Sequence, residues 1–356
     1  MKEQEIVTAV KAKLEATLYD VPFIKSIKCM ADVPVAGARI DLVVDLDMGK
    51  RIIRTFVECK SQGEPRIMRS AIEQVKEYMK GTDAQYGIVV APYISEDTAR
   101  ICKENGVGYI DLAGNCYLCF RKVCIEKQNY PNPFIQKRQV RSIFSPKSSR
   151  ILRVMLSNPH HSWQVQELAR EARVSLGLAS RVKERLLDLE YASENNKNVF
   201  LSRPRQLLQK WADNYSFSNN TIHNYRGSDE PQEVERKLSQ FCQQGSIPYA
   251  LTLSSATTLL APSAGRTRGY AYVGQRLPEI SRTLGLDKAS SESNFALVEP
   301  HDEGVFYGSR TIDQMQVVGM VQLYLDLKGS DEGGAEAAEV LLEQWLESLS
   351  FRSAPE

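Results

Sequence analysis

The sequence of 356 residues contains no apolar run long enough to cross a bilayer. Its first twenty residues form a charged amphipathic pattern with apolar Ile6, Val10 and Leu14, and they lack the apolar segment of a secretion signal. The seven cysteines are an odd number and are scattered along the chain, which favours reduced thiols over a disulfide framework. These absences predict a cytoplasmic protein that does not enter a membrane.

Two kinds of binding motif are also missing. Neither a Gly-x-x-x-x-Gly-Lys-Ser/Thr motif nor a dinucleotide-binding glycine fingerprint occurs, so we predict no nucleotide-driven activity. Cys116, Cys119 and Cys124 lie in a stretch with the pattern of one strand, NCYLCFRKVCIEK, where residues three apart point to opposite faces. No second Cys/His pair follows at ligand spacing, so we predict core thiols rather than a zinc site.

The net charge of +1 hides an asymmetry along the chain. Residues 1–120 carry 16 basic and 17 acidic side chains, residues 121–216 carry 18 and 8, and residues 217–356 carry 11 and 19. A basic segment inside a neutral protein is typical of a surface that contacts phosphate backbones, although a solvated charged face is the alternative. The charge pattern therefore predicts a nucleic-acid partner for the middle segment.

The first third of the chain predicts an α/β fold with a mixed sheet. An opening helix is followed by three strand patterns, and the last two of these are joined by the turn at residues 48–50. A helix over residues 70–81, a strand, a helix capped by Ser95 and another strand follow. This alternation of helices and strands is the layout of an α/β domain.

Two of these strands carry polar residues suited to catalysis. In TFVECK, strand alternation places Glu58 and Lys60 on one face, and the preceding strand supplies Asp41. Two carboxylates can hold a Mg²⁺ ion that lowers the pKa of a water molecule, and a lysine can orient that water or stabilise the charge that develops on a phosphodiester. The alternative is an aspartate at a strand end beside an exposed Glu–Lys ion pair.

These motifs resemble the PD-(D/E)XK nuclease superfamily over about residues 1–125. ARIDLVVDL is similar to its Asp strand and TFVECK to its Glu-x-Lys strand, although Ile40 replaces the proline of the family name. Gln74 and Tyr78 lie four residues apart on one helix face, as in the Gln-x-x-x-Tyr motif of the recombination-type exonuclease branch.

The resemblance implies a restriction-endonuclease-like fold with a catalytic site. That site would contain Asp41, Glu58, Lys60, Gln74 and Tyr78. Asp41 and Glu58 would bind Mg²⁺ or Mn²⁺, and either Glu3 or Glu15 of the first helix would complete the site. The same scaffold also serves as a nucleic-acid-binding module without catalysis, so deoxyribonuclease activity stays an open alternative.

Residues 142–216 predict three helices and then a hairpin around Glu-Asn-Asn-Lys-Asn. The stretch QELAREARVSLGLASRVKERLLDLEYA resembles the winged helix-turn-helix of bacterial regulators, which implies a third helix in the major groove and a wing along the backbone. Leu178, Val182, Leu186 and Leu189 are spaced as the core face of that helix. The predicted DNA-binding residues are Ser175, Ser180, Arg181, Lys183, Arg185, Asn195, Asn196 and Lys197. A winged helix used for protein contact is the alternative.

Residues 230–352 alternate helix and strand patterns and predict a small α+β domain. The phrases YALTLSSATTLLAP and VGMVQLYLDLKGSDEGGAEAAEVLLEQWL are similar to the C-terminal part of AbiEi-type antitoxins of type IV toxin–antitoxin systems. That resemblance implies a transcriptional regulator that represses its own operon and opposes a nucleotidyltransferase toxin.

The sequence thus predicts a multidomain protein of α/β and α+β class. It comprises a nuclease-like domain at residues 1–130, a winged helix at 142–216 and an AbiEi-like domain at 230–352. The predicted function is DNA-binding transcriptional regulation in the bacterial cytoplasm, in association with the nucleoid; the alternative is a Mg²⁺-dependent nuclease of defence or DNA repair. The predicted partners are double-stranded DNA, a second copy of the chain and a cognate toxin. A second copy is expected because inverted half-sites require a two-fold protein.

Overall fold

The computed structural model divides the chain into two compact units. The first contains Met1–Val140 with Asp188–Glu190, and the second contains Arg141–Leu187 with Tyr191–Glu356. The structure describes residues 1, 3–19, 21–22, 24–35, 37–134, 143–260, 268–289, 292–330 and 334–351. The predicted domain ends at residues 142 and 352 lie outside this described part. No helix among the described residues combines the length and the apolar character that a membrane span requires.

The first unit is a seven-stranded mixed sheet whose strands lie in chain order. The two outer trios, β1–β2–β3 and β5–β6–β7, are antiparallel, whereas β3, β4 and β5 are parallel and are connected through α2 and α3. The elements are α1 (Glu3–Leu18), β1 (Ser26–Val35), β2 (Ala38–Asp47), β3 (Ile52–Cys59), α2 (Pro65–Met79), β4 (Ala84–Ala91), α3 (Glu96–Glu104), β5 (Gly108–Asp111), β6 (Cys116–Phe120) and β7 (Val123–Lys127). The predicted α/β class with a mixed sheet is confirmed.

Helices cover both faces of the central strands. The buried residues of α1 recur every four positions and pack in one core with Val57 and Cys59 of β3. Phe56 of β3 lies in the opposite core, together with Met68 and Val75 of α2. Because side chains alternate along a strand, Glu58 faces the α2 side where β3 ends.

The stretch from Cys116 to Lys127 is a hairpin, so the predicted single strand is wrong. Arg121 has φ of 52° in the turn between β6 and β7, which reverses the chain. Cys116 is buried as predicted, but Cys119 and Cys124 are paired across the hairpin and are exposed. The prediction of core thiols is wrong for these two because one face of this hairpin is open to solvent.

The second unit begins with three helices and a hairpin, in the predicted order. Its elements up to the C-terminal sheet are α4 (Pro146–Ser157), α5 (Val165–Glu171), α6 (Leu176–Asp188), β8 (Ala192–Asn195), β9 (Asn198–Leu201) and α7 (Pro204–Ala212). The sequence SWQVQELAREA has a helical pattern from Ser162, but α5 begins only at Val165. Trp163 and Val199 exchange both backbone hydrogen bonds, at 2.8 and 2.9 Å, so the residues before α5 add a strand-like segment to the hairpin.

The remainder of the second unit contains another seven-stranded mixed sheet, in the order β13–β10–β14–β12–β11–β16–β15. Its elements are β10 (Thr221–Arg226), α8 (Pro231–Gln244), β11 (Tyr249–Leu251), α9 (Leu253–Leu260), β12 (Gly269–Val273), α10 (Leu277–Thr283), β13 (Asp287–Lys288), β14 (Phe295–Glu299), β15 (Arg310–Ile312), β16 (Met315–Val317), α11 (Met320–Gly329) and α12 (Ala335–Phe351), with 3-10 turns at Phe217–Asn219 and Glu303–Phe306. Several strands have only two or three residues, too few for a clear alternation pattern.

Candidate functional sites

The five residues of the predicted catalytic site lie together where β2 and β3 meet α2. We call Asp41, Glu58, Lys60, Gln74 and Tyr78 the nuclease-like cluster. Leu42 pairs with Val57, and this register brings Asp41 beside Glu58 at the end of the two strands.

A chain of hydrogen bonds connects four of these residues. Lys60 Nζ donates to Glu58 Oε1 at 2.6 Å and to Gln74 Oε1 at 3.1 Å. Gln74 Nε2 in turn contacts the hydroxyl of Tyr78, one helical turn further along α2. Asp41 Oδ2 accepts from the backbone N–H of Cys59 at 2.8 Å, which fixes the carboxylate against β3. The helical spacing of Gln74 and Tyr78 therefore serves to hold the lysine from the helix side.

Burial and charge act together on Glu58, which is only 4% exposed. Burial raises the pKa of Glu58, its hydrogen bond to Lys60 lowers it, and the nearby charges of Asp41 and Glu3 raise it, so that the net shift is upward. For Lys60, burial lowers the pKa, but the bond to Glu58 and the charges of Glu58, Glu3 and Asp41 outweigh it and raise the pKa. The lysine is therefore charged at neutral pH.

The choice between Glu3 and Glu15 is decided by position. Glu3 lies close enough to Glu58 and Lys60 for its charge to shift both pKa values. Glu15 instead lies near Cys29, where burial and the Glu15 charge raise the pKa of the thiol. Of the two candidates on α1, Glu3 is therefore the one beside the nuclease-like cluster.

The donor set of the cluster fits a hard divalent cation. Mg²⁺ is commonly held by one or two carboxylates, with water and substrate phosphate completing its coordination. Asp41 and Glu58 supply two carboxylates where β2 pairs with the end of β3. No larger group, of three or more His, Cys, Asp or Glu suited to a metal, occurs among the described residues. These two residues would hold such an ion, which would lower the pKa of a bound water.

The predicted DNA-binding residues lie on α6 and the β8–β9 hairpin, and all of them except Lys183 are exposed. Ser175 Oγ accepts from the backbone N–H of Leu178 at 3.3 Å, so this serine caps the N-terminus of α6. Ser180, Arg181 and Arg185 are exposed on the helix. On the core side Val182 and Leu186 are buried as predicted, but Leu178 and Leu189 are only partly buried, and Ala179 and Leu187 are buried instead. The apolar face of α6 is therefore rotated slightly from the predicted one.

Lys183 is held more firmly than the sequence indicates. Its Nζ donates to Glu194 of β8 at 2.9 Å and lies 3.1 Å from Glu184 Oε1. The bond to Glu194 raises the pKa of Lys183. A phosphate contact by Lys183 would therefore have to replace two carboxylates, whereas Arg181 is exposed at the surface.

The hairpin tip is formed by Asn196 and Lys197. Both have positive φ, 48° and 67°, which is the conformation of a two-residue type I′ turn. Asn195 ends β8, and all three side chains are exposed. Asparagine is tolerated in the left-handed region, but lysine there is strained, and glycine would relieve that strain. A charged residue thus occupies a position that the fold alone would give to glycine.

Residues 200–347 match the family model described as a transcriptional regulator, AbiEi antitoxin, of the type IV toxin–antitoxin system. The match covers less than half of the chain and includes α7 and the whole C-terminal sheet. No curated protein sequence matches the chain. The crystal structure of a repair endonuclease from Pyrococcus abyssi is 18% identical, covers 28% of this chain and 46% of that chain, and has a TM-score of 0.21. The match thus spans less than half the length of the endonuclease, and a TM-score this low does not show a shared fold or activity.

Proposed function

We propose that the protein is a DNA-binding transcriptional regulator of the AbiEi antitoxin type that carries a restriction-endonuclease-like domain. The observation that carries this proposal is the family match at residues 200–347, which begins in the last strand of the basic three-helix and hairpin segment. The net charge of residues 121–216 is near +10, which favours phosphate contact by this segment.

In this proposal α6 enters the major groove and the hairpin follows the neighbouring backbone. Arg181 and Arg185 supply charged donors, Ser175 and Ser180 supply hydroxyls, and Lys197 carries its charge to the phosphates from the hairpin tip. Phosphate contacts determine affinity and salt dependence, and base-edge contacts determine sequence preference.

The test is selection of duplexes from a random DNA library by the full chain, followed by titration of the enriched duplex at several salt concentrations. We expect Arg181→Ala to weaken binding and to reduce the slope of log affinity against log salt by about one unit. The matched control is Arg236→Ala, which removes an exposed arginine paired with Glu233 on α8. Failure to enrich any duplex, or equal effects of the two substitutions, would contradict the proposal.

The proposal includes a two-fold homodimer and a cognate toxin. Two copies would place their recognition helices on inverted half-sites, one helical turn of DNA apart. Sedimentation equilibrium of the full chain, with and without the enriched duplex, measures the stoichiometry. Co-expression with a candidate nucleotidyltransferase toxin tests whether a toxin binds. A monomeric 1:1 complex with DNA would exclude the dimer.

A second candidate function is metal-dependent DNA cleavage by the nuclease-like cluster. The observation that favours it is the connected arrangement of Lys60 between Glu58 and Gln74, beside Asp41. The experiment is incubation of supercoiled, linear, single-stranded and branched DNA with Mg²⁺ or Mn²⁺. Cutting that disappears in Lys60→Ala would support a nuclease, and intact DNA binding without cutting would support the regulator alone.

A further inference from the structure

A small cavity lies within the second unit, between α4, α7 and the loop that follows β14. Its volume is about 180 Å³, and its walls include Phe144, Arg153, Trp211, Asn219 and His301. Since liquid water occupies about 30 Å³ per molecule, the cavity has room for about six waters or for one small organic molecule. It is too small for a nucleotide, because pockets for ligands of drug size begin near about 300 Å³. We call it the Arg153 cavity.

Arg153 is buried without a direct carboxylate partner. Its side chain is 4% exposed, and its Nε and Nη2 donate to one neutral atom, Oε1 of Gln322, at 3.0 and 2.5 Å. Nη1 donates to Ser149 Oγ at 2.9 Å. These bonds use three of the five N–H groups, and the other two have no partner among the described residues. A buried cation with donors unused is costly unless an anion reaches it.

The nearest carboxylates are already occupied. Both oxygens of Asp302 accept from Arg150, each at 2.7 Å, and Oδ1 also accepts from the backbone N–H of Gly304 at 2.8 Å. Asp302 is the only carboxylate on the wall of the Arg153 cavity among the residues that the structure describes, and Arg150, which also pairs with Glu303 at 2.8 Å, compensates its charge in part. The oxygens of Asp302 are thus engaged by Arg150 and Gly304 rather than by Arg153, and Asp302 opposes an anion in the cavity less than an unpaired carboxylate would.

Asp326 is the second nearby carboxylate, and four donors surround it. Oδ1 accepts from Tyr215, Tyr272 and Gln322 at 2.7, 2.9 and 2.7 Å, and Oδ2 accepts from Thr252 at 2.5 Å. Gln322 thus stands between Arg153 and Asp326 and separates the two charges by one amide. The guanidinium keeps its remaining donors for the cavity.

We propose that the Arg153 cavity binds a small planar carboxylate whose body is aromatic. A guanidinium fork matches a carboxylate through two parallel hydrogen bonds, which is the strongest pairing that its free N–H groups can form. Trp211 lies against the guanidinium, with 4.8 Å from the Arg153 Cζ to the ring centroid, and Phe144 stacks with Trp211 at 6.4 Å. These rings provide a flat apolar wall for the body of the ligand.

The position of the cavity gives the ligand a role in regulation, and this part rests on the proposed function. Arg153 belongs to α4, the first helix of the predicted DNA-binding segment, whereas Gln322 belongs to α11 of the C-terminal part. A ligand that binds more tightly to one arrangement of α4 against α11 would favour that arrangement and thereby change the affinity for DNA.

Binding is tested first without DNA. Sodium benzoate, sodium acetate and sodium phosphate are titrated into the full chain at constant ionic strength, while the guanidinium N–H resonances are followed in ¹⁵N-labelled protein. We expect saturable benzoate binding with a Kd on the order of 1 mM or tighter, weaker binding of acetate, and a shift of one buried arginine resonance. Phosphate binding without benzoate binding, or no saturable binding at all, would overturn the proposal.

Two variants and a control locate the site. Arg153→Lys keeps the charge but removes the fork, so we expect benzoate affinity to fall by about tenfold or more. Ser216→Phe narrows the cavity at a half-buried wall and leaves Arg153 intact, so it tests the same site if Arg153→Lys fails to fold. Arg236→Lys, far along the chain on α8, should bind benzoate like the wild type. Unchanged benzoate affinity in Ser216→Phe would overturn the assignment.

The effect on DNA is measured separately, by titrating the selected duplex with and without saturating benzoate. A change in DNA affinity that is absent in Ser216→Phe supports the regulatory role. Benzoate binding with no change in DNA affinity would overturn that role alone, and absence of any DNA binding would count against the proposed function while leaving the ligand site supported.

Discussion

The ammonium of Lys60 lies 2.6 Å from Oε1 of Glu58, and the two side chains leave the same end of β3. This pair is mostly shielded from solvent, since Glu58 is 4% exposed. In a medium of reduced dielectric constant each charge stabilises the other, and removing one leaves the other buried alone. Substitution of either residue of this pair therefore tests the role of the nuclease-like cluster.

Replacing Lys60 should abolish any metal-dependent DNA cleavage. Lys60→Ala removes the donor to Glu58 and Gln74, and loss of such an electrostatic group typically reduces rate constants by about 10²–10³-fold. The measurement is conversion of supercoiled plasmid in Mn²⁺. Lys80→Ala, which removes an exposed lysine paired with Glu77 at the end of α2, is the matched control and should cut at the wild-type rate. Equal cutting by both variants would assign the activity elsewhere.

Metal binding at the cluster should weaken as the pH falls. A carboxylate must be ionised to hold a cation, and the raised pKa of Glu58 moves its protonation to a higher pH than that of a surface glutamate. Mn²⁺ affinity, measured by electron paramagnetic resonance between pH 5 and 8, should therefore rise with pH. Glu58→Gln should bind Mn²⁺ more weakly and lose most of this pH dependence; a variant with the wild-type profile would show that Glu58 is not a ligand.

Asp326 should make the second unit more stable in mild acid. Burial raises the pKa of Asp326 and its four hydrogen bonds lower it, with a net value of about 6 in the folded protein. The pKa in the unfolded chain is about 3.9. The folded state thus holds the proton more tightly, so this contribution is present in full below about pH 4 and is lost as the pH rises through about 6. A shift of about two units corresponds to about 3 kcal/mol.

The measurement is urea unfolding of wild type and Asp326→Asn at pH 4.5 to 7.5. Tryptophan fluorescence reports on the second unit alone, because Trp163, Trp211 and Trp345 all belong to it. The difference in the free energy of unfolding between the two proteins should change with pH in the stated direction. A difference independent of pH would show that Asp326 does not titrate in this range.

Substitutions at the hairpin tip distinguish the effect of the Lys197 charge on DNA binding from the effect of backbone strain on stability. Lys197→Gly should stabilise the fold by up to about 1 kcal/mol, because glycine adopts positive φ without strain, and should reduce the DNA salt slope by about one unit. Asn196→Gly, also at positive φ, is the matched control and should leave the salt slope unchanged. A Lys197→Gly protein that is more stable but binds DNA with the wild-type slope would remove Lys197 from the interface.

The periodic parts of the fold follow from local sequence patterns. Apolar side chains spaced three or four residues apart in α1 and α2, and short runs rich in apolar residues in β2 and β3, are local properties, and each forms the predicted element, although α2 begins at Pro65 rather than at residue 70. Because side chains of a strand point to its two faces in turn, Glu58 and Lys60 were predicted to share a face. Helical spacing predicted that Gln74 and Tyr78 share one. These two pairs were thus predicted separately.

Which of these faces meet depends on long-range packing and not on local patterns. The register of β2 against β3 and the packing of α2 bring Gln74 to Lys60, and the position of α1 brings Glu3 rather than Glu15 to Glu58. The chain of Arg153, Gln322 and Asp326 joins helices about 170 residues apart in sequence, and no local pattern encodes that contact. The sequence signals this contact only by polar residues inside apolar helix stretches, which are Arg153 in ILRVML and Gln322 and Asp326 in VQLYLDL. A buried charge requires a partner, and only folding can supply it.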